Sequence, residues 1–230
     1  MTEAPIVRFD AVSFGSPDGR RVITGLSLTV PAASFLFLTG PSRAGKSVLL
    51  ELISLAAVPS RGRIEVLGQA TDSLDRDQRA TLRRRIGVVH QDLRLLDDYS
   101  AFDNVALPAR LSLRTPVDYR DQVVEVLTWV GLGARMDLHP GKLGPGDRRR
   151  LAIARAVING PDILLADEPT DQLEGPARFA ILRLLADLNR AGVTVLIATR
   201  DTALAEGSGA PVIHLGGDAA PEAPIPEDAR

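Results

Sequence analysis

The sequence predicts an α/β fold: a mainly parallel sheet core with an antiparallel β edge and an inserted helical subdomain. Three observations lead there. The stretch FLFLTGPSRAGKSVLLELI, Phe35 to Ile53, holds an apolar run, a loop bounded by glycines and a run rich in Leu and Ile, which is a strand, a tight loop and a helix. Two later apolar runs, Ile163-Leu-Leu-Ala-Asp167 and Val193-Thr-Val-Leu-Ile-Ala198, are separated by a helical pattern with Ile181, Leu184, Leu185 and Leu188 on one face. Strands alternating with helices imply a parallel sheet covered on both faces. Between these halves, from Gln91 onward, the pattern turns helical.

The elements follow in chain order. Ile6-Val-Arg-Phe9 and Leu26-Ser-Leu-Thr-Val30 alternate apolar and polar residues as half-buried strands do, and Ser16-Pro-Asp-Gly19 between them is a turn signal. An antiparallel edge therefore precedes the strand at Phe35. After the helix that ends near Ile53, Pro59-Ser-Arg-Gly62 turns into a short strand, Arg63-Ile-Glu-Val-Leu67. A polar, Arg-rich segment, Asp72 to Arg85, leads to the apolar Ile86-Gly-Val-Val89. Thr115-Pro116 reads as an N-cap with proline at the first helical position, and Val123, Val126, Leu127 and Val130 repeat at helical spacing before Gly131 closes the helix. A second helix is predicted over Arg148 to Asn159, stopped by Gly160-Pro161, and Pro176 opens the helix that Gly192 ends. The final stretch, Gly216 to Arg230, is Pro, Ala and acid without apolar periodicity and reads as a disordered tail.

The loop Gly40-Pro41-Ser42-Arg43-Ala44-Gly45-Lys46-Ser47, with Val48 in the first helical turn, carries the first chemistry. Between a strand and a helix this spacing points successive backbone N–H groups at phosphate oxygens. The helix N-terminus adds positive potential, Lys46 reaches the β- and γ-phosphates and Ser47 offers a hydroxyl to Mg²⁺. Asp167 and Glu168, at the end of an apolar strand, supply what such a loop lacks. Phosphoryl transfer needs a carboxylate to hold Mg²⁺, the role that suits Asp167, and a group to orient or deprotonate the attacking water, the role that suits Glu168.

Composition bounds the alternatives. With 230 residues, 45% apolar, the chain is long enough for one large α/β domain with an insertion. A net charge of −2 argues against a nucleic-acid-binding surface. The absence of Cys excludes disulfides and thiolate metal sites and fits a reducing compartment. His90, His139 and His214 lack metal-ligand spacing. The segment MTEAPIVRFD lacks a basic region followed by an apolar one, and no apolar run reaches the ~18 residues that a bilayer-spanning helix needs. Membrane association is therefore predicted to come through a partner.

The ordered set GPSRAGKS at 40, VVHQD at 88, LGPGDRRRLAIARAV at 143, ILLADEPT at 163 and VLIATRD at 195 resembles the ATP-binding subunits of ABC systems, over about Ile6 to Asp201. Within that superfamily, QDLRLLDDYSAFDNVALP with the ADEPTDQL block most resembles the bacterial cell-division ATPases of the FtsE family; lipoprotein-releasing and macrolide-exporting ATPases are close relatives. The resemblance implies a P-loop NTPase fold of ABC type and a head-to-tail homodimer with ATP and Mg²⁺ at the interface, between loop and signature. Residues 1–90 would form the core with the P-loop, 91–159 the helical subdomain with the signature, 160–215 the second part of the core and 216–230 the tail. Gln91 would touch Mg²⁺ or the water, and the segment after it, Leu93 to Phe102, would line the groove that receives an integral membrane subunit of FtsX type. Leu95, Leu96, Tyr99 and Phe102 there are either partner contacts or core of the insertion. The protein would sit on the cytoplasmic face of the bacterial inner membrane.

The chain also departs from the family pattern. The signature, usually Leu-Ser-Gly-Gly and then Gln or Glu, is Leu143-Gly144-Pro145-Gly146-Asp147. Gly144 removes a hydroxyl that should bond the γ-phosphate across the dimer, and Pro145 removes an N–H, leaving Gly146 and the helix N-terminus to face the phosphate. The switch histidine is replaced by Arg200, which only donates. Arg43 stands where the family has glycine, Asp171-Gln-Leu-Glu174 ends in a longer acid, and Ser16 takes the place of an adenine-stacking aromatic, with Phe14 as a substitute or a core residue. The expectation is an ATPase subunit of FtsE type with slowed hydrolysis. The alternatives are a nucleotide-binding scaffold that hydrolyses little and an ATPase of a lipoprotein-release or export transporter.

Overall fold

A computed structural model describes residues 5–15, 21–112 and 119–216. The turn at Ser16 to Gly19, the cap at Thr115-Pro116 and the tail after Gly216 lie outside the described residues. The chain divides into two compact units, Met1–Arg83 with Thr194–Arg230, and Arg84–Val193.

The first unit contains an antiparallel sheet and a set of parallel strands. β1 (Val7–Gly15) pairs antiparallel with β2 (Arg21–Val30) on one side and β4 (Arg61–Val66) on the other, and β5 (Gln69–Ala70) adds to β4. β1 runs longer than its alternating residues predict because bulges, with Ala11 at φ 47°, let the strand continue past Phe9 with its register shifted. Its buried positions, Val7, Phe9 and Val12, face Leu26, Leu28 and Val30 of β2 in or near register. On the exposed side Arg8 lies opposite Glu65 and Asp10 opposite Arg63, so opposite charges face each other across strands. β3 (Phe35–Thr39) is flanked in parallel by β8 (Thr194–Ala198) and β9 (Val212–His214). β3 and β8 are buried along nearly their whole length, which explains their unbroken apolar sequences. β9 and the preceding helix α7 (Thr202–Gly207) have no sequence periodicity to reveal them, the strand being three residues long. The P-loop helix α1 (Lys46–Ile53) buries Leu49, Leu50, Leu52 and Ile53.

The second unit begins at the end of α2 (Arg76–Arg84). β6 (Ile86–Val89) pairs in parallel with β7 (Ile163–Asp167), and the helices α3 (Ala101–Ser112), α4 (Arg120–Trp129), α5 (Pro145–Val157) and α6 (Gly175–Arg190) complete the unit. In α4, Val123 and Leu127 are buried as their spacing predicts, and Gly131 follows at φ 82°. α5 starts three residues earlier than its apolar pattern suggests, because Pro145 occupies the first helical position and Gly144 caps it. It lies so close on β6 that a Cβ at Gly87 would stand 2.5 Å from the Ala156 carbonyl oxygen.

Candidate functional site

In the first unit the glycine-bounded loop joins β3 to α1 as predicted. Gly40 is fixed by contact: a Cβ there would lie 2.1 Å from the carbonyl oxygen of Leu215, just after β9. Arg43 takes φ 68° and Gly45 φ 94°, and these left-handed turns curl the loop over the start of α1. Lys46 is buried, and its Nζ donates to the carbonyl oxygens of Gly40 at 2.6 Å and Pro41 at 3.0 Å. The ammonium is thus held inside the curve of the loop. Ser47 is exposed at the first turn of α1 and Val48 half-buried behind it. A cavity of about 440 Å³ opens beside the loop, lined by Gly40, Pro41, Ser42, Arg200, Thr202 and His214 among others. Arg200 therefore shares a cavity with the P-loop. His214, whose Nδ1 lies 2.8 Å from Thr39 Oγ1, is a neighbour that its lack of metal spacing did not bring forward.

In the second unit Gln91, exposed just after β6, starts a tight turn in which Leu93 has φ 60° and Arg94 φ 46°. Burial, and next the charge of Arg94, push the adjacent His90 imidazole below its ordinary pKa. Asp167 ends β7 half-buried, and Glu168 follows, buried and at φ 47°. The carbonyl of Glu168 accepts 2.7 Å from Arg149 Nη1, and that of Asp171 accepts 2.7 Å from Nη2. Burial lowers the pKa of Arg149, countered by Asp171 and Glu168.

The signature opens α5. Gly144, at φ −68° and ψ 166°, is the N-cap, and Gly146 sits in the first turn beside Ala177 of α6. Asp147, at the family's Gln or Glu position, accepts from Arg135. Sequence reasoning had no signal for that pair. Arg83 donates to the carbonyl of Leu55, and Arg85 grips Asp162 with two bonds of 2.7 and 2.9 Å.

The segment after Gln91 is built around Asn104, fully buried in α3, whose side chain bonds Leu96 N and the carbonyls of Leu96, Tyr99 and Ser100. Leu96 and Tyr99 are 37% and 43% exposed, whereas Leu95 and Phe102 are half-buried, so the four apolar residues divide between surface and core. Phe14 is half-buried opposite Ile23 on the antiparallel sheet.

A strand, a glycine loop with an internal lysine and a helix, on parallel strands, define a P-loop nucleotide-binding protein. The comparisons place it more narrowly. The ABC transporter family model matches residues 23–171. The chain is 41% identical over 196 residues to the cell division ATP-binding protein FtsE of Escherichia coli K12, covering 85% of this chain and 88% of that one. It is 35% identical to a macrolide export ATP-binding/permease protein of Aeromonas hydrophila, of which it spans only 37%. Among solved structures, a dimeric ATP-binding cassette in a post-hydrolysis state with ADP and Pi has a TM-score of 0.83 at 30% identity, over 91% of this chain and 94% of that one. A cbiO1 subunit from Clostridium perfringens gives 0.82 at 26%, over 93% and 85%. The chain belongs to the ABC transporter family of ATP-binding subunits, with the P-loop NTPase fold of ABC type, and FtsE is a relative across most of its length.

Proposed function

We propose that the chain is the ATPase of an FtsE-FtsX-like complex, in which ATP-driven dimerisation and hydrolysis signal across the inner membrane to the control of peptidoglycan hydrolases in cell division. The observation that carries this reading is the P-loop itself. Lys46 is held inside a loop whose left-handed residues turn it over a helix N-terminus, the cradle that nucleotide phosphates require. The 41% identity to FtsE supports the cell-division assignment.

The assigned oxygen donors, Ser47, Gln91 and Asp167, suit Mg²⁺, a hard cation that is usually held by one or two carboxylates together with substrate phosphates. Bound Mg²⁺ would neutralise charge on the phosphates. In the proposed reaction a water oxygen bonds to the γ-phosphorus, the bond from that phosphorus to the ADP oxygen breaks, and Glu168 orients the water and accepts its proton. Gln91 would contact Mg²⁺ or the water, and Arg200 would donate to phosphate without accepting. Backbone N–H groups from Gly40 to Val48, Pro41 excepted, and, across the dimer, that of Gly146 would hold the phosphates. The exposed Leu96 and Tyr99 mark the face for the membrane subunit, which keeps the protein on the cytoplasmic side.

Sedimentation of the purified Glu168→Gln protein tests this reading. Mg-ATP should convert it to a dimer and Mg-ADP should not, and with its membrane partner the unaltered protein should turn over ATP faster than Glu168→Gln. A monomer under both nucleotides, or equal turnover, would contradict it.

A second reading, a nucleotide-binding scaffold with little hydrolysis, is favoured by Gly144, Pro145 and Arg200. A Cβ at Gly144 would meet nothing within 4 Å, so a serine fits there. Gly144→Ser, Pro145→Gly and Arg200→His together should raise turnover by about 10-fold or more if these positions limit transition-state stabilisation, since one lost oxyanion donor costs on the order of 10²-fold. Unchanged turnover would remove the basis of this second reading.

A further inference from the structure

Helix α5 carries two arginines that fork onto backbone carbonyls in the same manner. Arg149 donates 2.7 Å bonds to the carbonyls of Glu168 and Asp171, closing the turn in which Glu168 has φ 47° and Gln172 φ 58°. Arg155, six positions further on, donates to the carbonyls of Arg94 and, at 2.6 Å, Leu93, closing the turn in which those residues have φ 46° and 60°. Residues with side chains adopt left-handed backbone reluctantly, so each turn needs an outside hold. A planar guanidinium supplies it by reaching two carbonyls at once from a rigid helix. Each turn begins at or next to a residue assigned to the chemistry, Glu168 in one and Gln91 in the other.

We propose that α5 is a positioning element: Arg149 sets the turn of Glu168 and Arg155 sets the turn after Gln91, so that both are referenced to the helix whose N-terminus bears Gly144 to Gly146. The idea rests on the catalytic assignment above. It adds that neither arginine touches substrate and that both act through backbone geometry. Lysine keeps the charge but offers a point ammonium in place of a fork, so Arg149→Lys and Arg155→Lys separate the fork from the charge.

Hydrogen–deuterium exchange on the full chain reads the two turns separately. The amides of Asp171 and Leu173 bond to the carbonyls of Glu168 and Thr170, and those of Leu93 and Arg94 bond to the carbonyls of His90 and Asp92. Arg149→Lys should speed exchange over 168–173 by about 10-fold and leave 93–99 unchanged, and Arg155→Lys should do the reverse. ATP affinity and KM should stay within about twofold in both variants, while kcat falls by about 10- to 100-fold, the scale of a misplaced catalytic group. Should either lysine variant fail to fold, Arg149→Gln or Arg155→Gln replaces it under the same readouts. Unchanged exchange in the matching turn, or faster exchange spread over the whole second unit, would overturn the proposal, as would a kcat preserved while the turn loosens. Absence of turnover in the unaltered protein would count against the ATPase reading alone, and the exchange pattern would then decide the positioning role by itself.

Discussion

At Asp162 an acid beside the start of β7 meets Arg85 through two parallel bonds of 2.7 and 2.9 Å. Hydrogen bonding to Arg85 is the largest cause that holds its carboxyl below the ordinary value. Because the folded-state pKa is depressed, the stabilisation is present above the ordinary carboxylate value of about 3.9 and is lost as pH falls through the folded-state value. Both partners are more than a third exposed, so solvent screening limits the effect, and Asp162→Asn should cost at most about 1 kcal/mol at neutral pH. Urea titrations should show that gap at pH 7 and no gap in strong acid; a gap that persists in acid would assign the effect to packing. Arg43 is the opposite case. Its left-handed backbone costs roughly 1–2 kcal/mol relative to the right-handed region. Glycine there would remove that cost but lose roughly 0.5–1 kcal/mol to the greater freedom of the unfolded chain. Arg43→Gly should therefore leave stability unchanged or raise it by up to about 1.5 kcal/mol, measured as the shift in urea midpoint, and a loss would mean that the arginine side chain makes a stabilising contact.

The segment from Leu93 to Ser100 depends on α3 as much as on α5. Asn104 is fully buried and its amide is satisfied entirely by the backbone of that segment. Asn104→Ala strands several of those groups, and the cost should be about 2–3 kcal/mol, with loss of exchange protection in the segment. A loss under about 0.5 kcal/mol would show that water replaces the amide and that the segment is held elsewhere. None of this was readable beforehand, since a single Asn in a helical pattern gives no sign of which carbonyls it serves. The strands and helices with clear periodicity were legible: β3, β7, β8, α4 and α6 lie within a residue or a few of where their apolar spacing sets them. β9 and α7 were missed because three and six residues carry too little pattern. At the candidate site the residues proposed at 40–48, 167 and 168 come from motif spacing, and Gln91 from the family resemblance. The left-handed turns at Leu93, Arg94 and Gln172, and the arginines that hold them, are tertiary facts with no local signature.

At the scale of the molecule, the assigned chemistry divides between the two units. The P-loop and Arg200 belong to the first unit, and Gln91, the acids at 167 and 168 and the start of α5 to the second. The proposed function draws ATP binding from residues of the first unit and the catalytic acids from the second. Family membership and the likeness to dimeric cassettes support that account. Its central claim is that the loop from Gly40 to Val48 holds ATP. Titration calorimetry of the purified chain with ATP in the presence of Mg²⁺ tests this most directly, with Lys46→Ala as the comparison. The account predicts one ATP per chain and a loss of at least about 10-fold in affinity, about 1.4 kcal/mol, when the lysine is removed. Equal binding by the two proteins, or none by either, would contradict it.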